Sequence, residues 1–153
     1  MKVGELMNPR VLKIGVKTPL REILHLLLRS HLNDLVVVNN KDRLLGIVTY
    51  GDLSRRLLPT EAELGEHEEY MTTPESMEDR VMDIVNLPVE EVMTRKVITV
   101  SPDCSAIKAG AMMDAHHVKQ LPVVEHQKVV GIISRTDIGW GLMMKYSEQM
   151  KGR

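Results

Sequence analysis

Apolar and polar residues alternate over residues 11–14 and again over 97–100, the period of two that a half-buried strand requires. After the first stretch, Thr18 is a predicted helix N-cap with Pro19 at the first helical position. Leu20, Ile23, Leu24, Leu27 and Leu28 then form the i, i+3, i+4, i+7, i+8 stripe of an amphipathic helix. After the second stretch Ser105 is the predicted cap, and small residues carry the helix face: Ala106, Ala109, Gly110 and Met113. The apolar runs 35–38 and 121–124 are too short for helices and predict buried strands. Polar turns at 39–43 and 125–128 lead into further strands at 44–49 and 129–134, and closing helices begin around Asp52 and Asp137.

The two patterns are one pattern repeated. An offset of 86 places Val3, Glu5, Met7 and Val11 on Val89, Glu91, Met93 and Val97, and His31 and Leu35 on His117 and Leu121. One residue is lost in a loop, and an offset of 85 then places Gly46, Thr49 and Asp52 on Gly131, Ser134 and Asp137. Each copy predicts a β-α-β-β-α unit, which makes the chain an α/β (α+β) protein with a first repeat at 1–58, a linker at 59–87 and a second repeat with a C-terminal helix at 88–153. A small sheet with helices on one side leaves apolar surface bare. Two repeats packed sheet-to-sheet about a pseudo-twofold axis are expected to cover it.

Within the linker, Thr60 and Glu63 make a capping-box signature, and Thr73-Pro74 starts a second helix with Met77, Val81, Ile84 and Val85 on one face. Two short helices interrupted near Gly65 are expected. Residues 61–79 hold eight carboxylates and no Lys or Arg, which reads either as a docking surface for a basic partner or as a solvated helix face.

The strongest local motif is Gly-Ile-Val-Thr-x-x-Asp ending at Asp52, echoed by Gly-Ile-Ile-Ser-x-x-Asp ending at Asp137. Each stands where a strand ends and a helix begins. A hydroxyl and a carboxylate three residues later can hold a ribose, the acid accepting from vicinal hydroxyls and the Thr or Ser donating to sugar or phosphate. Backbone amides at the helix start favour an anion nearby. The same residues also suit a plain N-cap with an acid in the first turn. Recurrence behind the same glycine in both copies favours the ligand role.

The paired motifs, the Leu121-Pro122-Val123-Val124 strand and the Val92-Met93 opening that leads to Val97 and Val100 resemble tandem cystathionine β-synthase (CBS) domains, a pair known as a Bateman module. The resemblance covers about 1–58 and 88–145, and the chain is similar to stand-alone proteins of that family. It implies a regulatory sensor that binds AMP, ADP, ATP or S-adenosylmethionine in clefts between two repeats and passes occupancy to a partner, with no obligatory cofactor. It further implies a homodimer regulating an enzyme or transporter. On this pattern Asp137 would hold the ribose and Ser134 the ribose or phosphate, and Leu121 and Pro122 would flank adenine. Backbone at Thr99, Val100 and Ser101 would read the base edge, and Lys119 would face phosphate. In the first repeat Thr49, Asp52, Leu35 and Val36 correspond. There Val36 replaces the proline and Asn33-Asp34 stand where the second repeat has Lys119-Gln120. Asp34 would repel a phosphate tail, so the Asp137 site is expected to bind better. The alternative is a structural dimerisation adapter with vestigial clefts, docking through Trp140, Met143 and Met144.

Composition narrows the functions further. Apolar residues make up 43%, charged residues 27%, and the net charge is −1, which disfavours electrostatic nucleic-acid binding. No apolar run approaches the roughly 18 residues of a membrane span, and no signal-peptide core is evident. The single Cys104 excludes an internal disulfide and fits a reducing cytoplasm. Aromatics are only 3% with no Phe, so the 11 Met residues read as packing rather than metal ligands. His116-His117 read as a helix C-terminal pair favourable with the dipole. No nucleophile, base and orienter stand at plausible spacing, so no catalytic or metal residue is assigned and the chain reads as a non-enzyme. The polar end, residues 145–153, is expected to fray.

Overall fold

The computed structural model describes residues 1–151 other than Asn33. Along the chain run α1 (Val3–Leu6), β1 (Lys13–Ile14), α2 (Leu20–Ser30), β2 (Asp34–Val38), β3 (Leu44–Thr49) and α3 (Tyr50–Leu57). The linker forms α4 (Glu61–Leu64), α5 (Glu68–Met71) and α6 (Pro74–Val85). The second repeat supplies α7 (Ala106–Ala115), β4 (Gln120–Glu125), β5 (Lys128–Ser134) and α8 (Arg135–Lys151). α8 continues through the stretch expected to fray as far as Lys151, while Gly152 and Arg153 lie outside the described residues.

The packing units do not coincide with the sequence repeats. One unit gathers residues 1–12, 41–44 and 96–153, the other 13–40 and 45–95. Each repeat's opening segment therefore joins the other repeat's body.

In the unit built on the first repeat, the sheet has the order β1-β2-β3, and β1 runs parallel to β2 with Lys13 opposite Val36 and Ile14 opposite Val37. Its core is Leu20, Ile23, Leu27, Leu35, Val37, Val48, Leu53, Val89 and Met93. The helical stripe predicted for α2 holds on its inner side, but Leu28 is exposed. The predicted Thr18 cap is not used: α2 starts one residue later, with Pro19 as N-cap and no side-chain cap bond. The Leu20 N–H is satisfied instead by the carbonyl of Leu87 at 2.9 Å, and the Thr18 carbonyl accepts from Val89 at 2.8 Å. A tertiary partner has taken the place of the local cap.

In the other unit, β4 and β5 form a two-stranded antiparallel sheet, with Gln120 opposite Ser134 and Leu121 opposite Ile133. The core is Val3, Val100, Ala106, Ala109, Met113, Leu121, Val123, Ile133 and Ile138. Ser105 caps α7 as expected. The strand predicted at 97–100 is reduced to one parallel bridge, Val100 opposite Val123. Val100 donates to the Pro122 carbonyl at 3.2 Å and accepts from Val124 at 2.9 Å. Extending the ladder to Thr99 would need an N–H on residue 122, and proline has none. Val36 in the first repeat keeps its N–H, so the ladder there is longer.

Linker predictions at both caps hold. Thr60 and Glu63 form a reciprocal capping box, and Thr73 caps α6 with Pro74 in its first turn. Three helices form where two were expected, because Gly65 ends α4 and opens a 3-10 turn, Gly65–His67, that separates it from α5. The Glu63 carboxyl is held below its usual range, chiefly by the Thr60 N–H, then by the Thr60 hydroxyl, with Arg80 adding to both. This contribution is full above the ordinary glutamate value of about 4.3 and disappears as pH falls through the lower folded value. A carbon-detected NMR titration is expected to place the Glu63 midpoint below the ordinary glutamate value; a midpoint at that value would refute the cap's electrostatic role.

Candidate ligand site

Both Gly-Ile-x-Thr/Ser-x-x-Asp segments fold into the same three-bond device. At the end of β5 the Ser134 N–H and hydroxyl each donate to Asp137 Oδ2 at 2.7 Å, and the Asp137 N–H returns a bond to Ser134 Oγ at 3.1 Å. At the end of β3, Thr49 and Asp52 repeat this at 2.9, 3.0 and 3.1 Å. The cap and the ligand hook are thus divided between atoms. Oδ2 and the hydroxyl proton serve the helix start, so the expected donation from Ser134 or Thr49 to a ligand is already spent inside the protein. What differs is the second carboxylate oxygen. Asp52 Oδ1 accepts from Arg55 across one helical turn, whereas Asp137 Oδ1 has no protein partner among the described residues.

The glycine that precedes each hook has a packing reason. A Cβ on Gly131 would lie 2.6 Å from Met7 Sδ and 3.2 Å from the Asn8 carbonyl oxygen. A Cβ on Gly46 would lie 2.7 Å from Met93 Sδ and 2.9 Å from the Thr94 carbonyl oxygen. The contacts match because the opening segments match: Asn8 and Ile132 exchange N–H···O bonds at 2.8 and 3.0 Å, and Thr94 and Ile47 do so at 2.8 and 3.0 Å. The repeated glycines admit the methionine-bearing segments and do not themselves point to a ligand.

Other candidate residues divide by face. Leu121 and Leu35 are fully buried in their units' cores, so their side chains are not available to flank a base. Strand alternation turns Pro122 and Val36, both buried, to the opposite face of their sheets. Val100 spends both backbone groups on β4, so those of Thr99 and Ser101 turn away from it. The Ser101 carbonyl accepts from Cys104 at 3.1 Å. Lys119 is exposed, and its carbonyl holds the Arg135 N–H at 3.2 Å at the start of α8. Ser134 sits opposite Gln120, next to Lys119 in the chain. Asn33 lies outside the described residues, so the Asn33-Asp34 comparison is carried by Asp34 alone.

A concave site of about 620 Å³ adjoins Asp52, lined by Arg55, Arg56, Thr60, Glu63, Arg80 and Val92. Asp34 is not among its walls. These arginines stand outside the repeated Gly-Ile-x-Thr/Ser-x-x-Asp motif. Arg55 and Arg56 stand within four residues of Asp52, which is a usable signal, but Arg80 reaches the cavity only through the fold of the linker.

This chain belongs to the CBS domain family, whose model matches residues 3–59 and 89–138. It is 32% identical over 139 residues to chloride channel protein CLC-f of Arabidopsis thaliana, which covers 85% of this chain but only 16% of that protein. Among solved structures, CBSX2 in complex with AMP is similar with a TM-score of 0.74 at 20% identity, covering 95% of this chain and 98% of that one. The CBS domain pair of protein MJ0100, in complex with 5-methylthioadenosine and S-adenosyl-L-methionine, has a TM-score of 0.71 at 21% identity, covering 95% and 98%. Among the described residues no helix is long and apolar enough to cross a membrane.

Proposed function

We propose that this protein is a regulatory module that binds an adenine nucleotide or adenosyl compound and transmits occupancy to a partner. The observation that carries the reading is the open Oδ1 of Asp137, on a carboxylate whose other oxygen is fixed by two hydrogen bonds. A charged acceptor held rigid and left unpaired suits the vicinal hydroxyls of a ribose. The backbone of Thr99 and Ser101, turned away from β4, offers donors and acceptors for a base edge, with Pro122 beside it and Lys119 near the strand start for phosphate. Structural neighbours crystallised with AMP and with S-adenosyl-L-methionine support the ligand class. Likeness to a segment of a chloride channel protein supports a channel or transporter as the partner. The test is isothermal titration of ligand-stripped protein with AMP, ADP, ATP and S-adenosylmethionine. Binding of at least one is expected, and no binding by any of them would overturn the reading.

A second reading, an adapter that dimerises, is favoured by the apolar residues that α8 leaves in solvent. Trp140, Met143 and Met144 are each 61% exposed. Sedimentation equilibrium is expected to give a homodimer that Trp140→Ser dissociates; a monomeric wild type would remove the dimer from both readings.

A further inference from the structure

We propose that the residue three places after each hook aspartate decides whether that hook accepts a ribose, and that Arg55 is an intramolecular lock on the first one. The inference rests on the adenosyl reading and deepens it, by naming the side chain that selects between two hooks with the same cap bonds.

Positions three apart on a helix are neighbours on its surface, so the side chain one turn on lies over the aspartate. In α3 that side chain is Arg55, whose Nη2 donates to Asp52 Oδ1 at 2.5 Å. Asp52 Oδ2 is held by the Thr49 N–H and hydroxyl, so the guanidinium takes the one oxygen this hook has left to offer. The Asp52 side chain is only 9% exposed, which keeps the pair's acidic end out of solvent, while the Arg55 side chain is 73% exposed. Solvent and salt screen that outer end, so the pair can open without unfolding α3.

The second repeat lacks the lock because its charges are placed differently. The offset of 85 carries Arg55 onto Trp140, which is exposed and has no charge to set against a carboxylate. It carries Arg56 onto Gly141, which has no side chain at all. It carries Tyr50 onto Arg135, whose guanidinium is drawn away to Asp114 Oδ1 at 3.0 Å. The helical turn that places two arginines after Asp52 therefore places none after Asp137, and the arginine beside that hook has another partner. A ribose arriving at Asp137 displaces only solvent from Oδ1, whereas one arriving at Asp52 must displace a guanidinium.

The experiment is an amide-resolved NMR titration of the full chain with adenosine, which is uncharged and so is not itself screened by salt. The amides of Gly51 and Asp52 report the first hook, and those of Thr136 and Asp137 the second. In the wild type the second hook is expected to fill about tenfold more tightly, the lower end for one charge-assisted bond. Arg55→Ala should tighten the first hook by about the same factor, with Arg55→Lys falling between. Trp140→Arg should weaken the second hook about tenfold, while Trp140→Gln, which removes the ring without adding a guanidinium, leaves it unchanged. Added sodium chloride should tighten the first hook in the wild type and not in Arg55→Ala, a response that a merely structural role for Arg55 would not give. The lock is overturned by a first hook no tighter in Arg55→Ala than in the wild type, or by a second hook that Trp140→Arg weakens no more than Trp140→Gln does. Adenosine binding at Asp137 that persists in that case leaves the adenosyl reading intact, whereas no binding at either hook in any protein removes both, so the two failures are distinguishable.

Discussion

Asp137→Asn is expected to weaken AMP binding by roughly ten- to a hundredfold, the loss of one charge-assisted hydrogen bond or slightly more. Asparagine is the informative replacement because its carbonyl oxygen can still accept from the Ser134 N–H, which preserves the start of α8. Alanine would remove both bonds that Ser134 donates to Oδ2, leaving only the Asp137 N–H bond to Ser134 Oγ, and would confuse binding with folding. The matched variant Asp52→Asn is expected to change AMP binding much less. Its Oδ1 is already paired with Arg55, so a ribose at that position would first have to displace a guanidinium. Titration of wild type and both variants reads the difference directly. Equal losses would show that the open oxygen of Asp137 is not what distinguishes the two hooks.

The second large effect is on stability. Gly46→Ala is expected to destabilise the protein by about 1–3 kcal/mol, the usual cost of overpacking a filled core. The new methyl would meet the Thr94 carbonyl oxygen at 2.9 Å, and that oxygen's own carbon chain is fixed by the paired bonds between Thr94 and Ile47. Gly131→Ala should cost less. Its closest obstacle is the flexible end of Met7, and the nearest backbone oxygen is 3.2 Å away. For a chain of 153 residues each kcal/mol corresponds to about 2–4 °C in Tm, so both shifts are measurable by thermal melts. A Gly46→Ala protein as stable as wild type would show that the opening segments are not packed on these glycines.

The repeat made most of the fold legible. Two helix stripes, four of the strand runs and both hooks follow from the offset between the copies, because periodicity reports which side of an element is buried. What it does not report is which body an element is buried against. Val3 and Met7 read as part of the first repeat but pack with Ala106 and Gly131, and Val89 and Met93 make the reciprocal exchange. The cap at Thr18 was lost to the distant carbonyl of Leu87, which takes the Leu20 N–H. Pro122 was legible as a break from the first repeat, yet its effect on the 97–100 strand depends on a bond that only the paired geometry reveals. For the site, the hook residues were legible and their division of labour was not. A sequence cannot say that one oxygen of Asp52 is taken by Arg55 while the same oxygen of Asp137 is open. Arg80 carried no local signal at all.

The most direct test of the central claim is a crystal structure of the ligand-stripped protein grown with saturating AMP. The account predicts the ribose hydroxyls within hydrogen-bond distance, about 2.5–3.0 Å, of Asp137 Oδ1, with the three bonds between Ser134 and Asp137 unchanged. AMP seated with its ribose away from Asp137, or no AMP in the crystal, would contradict it.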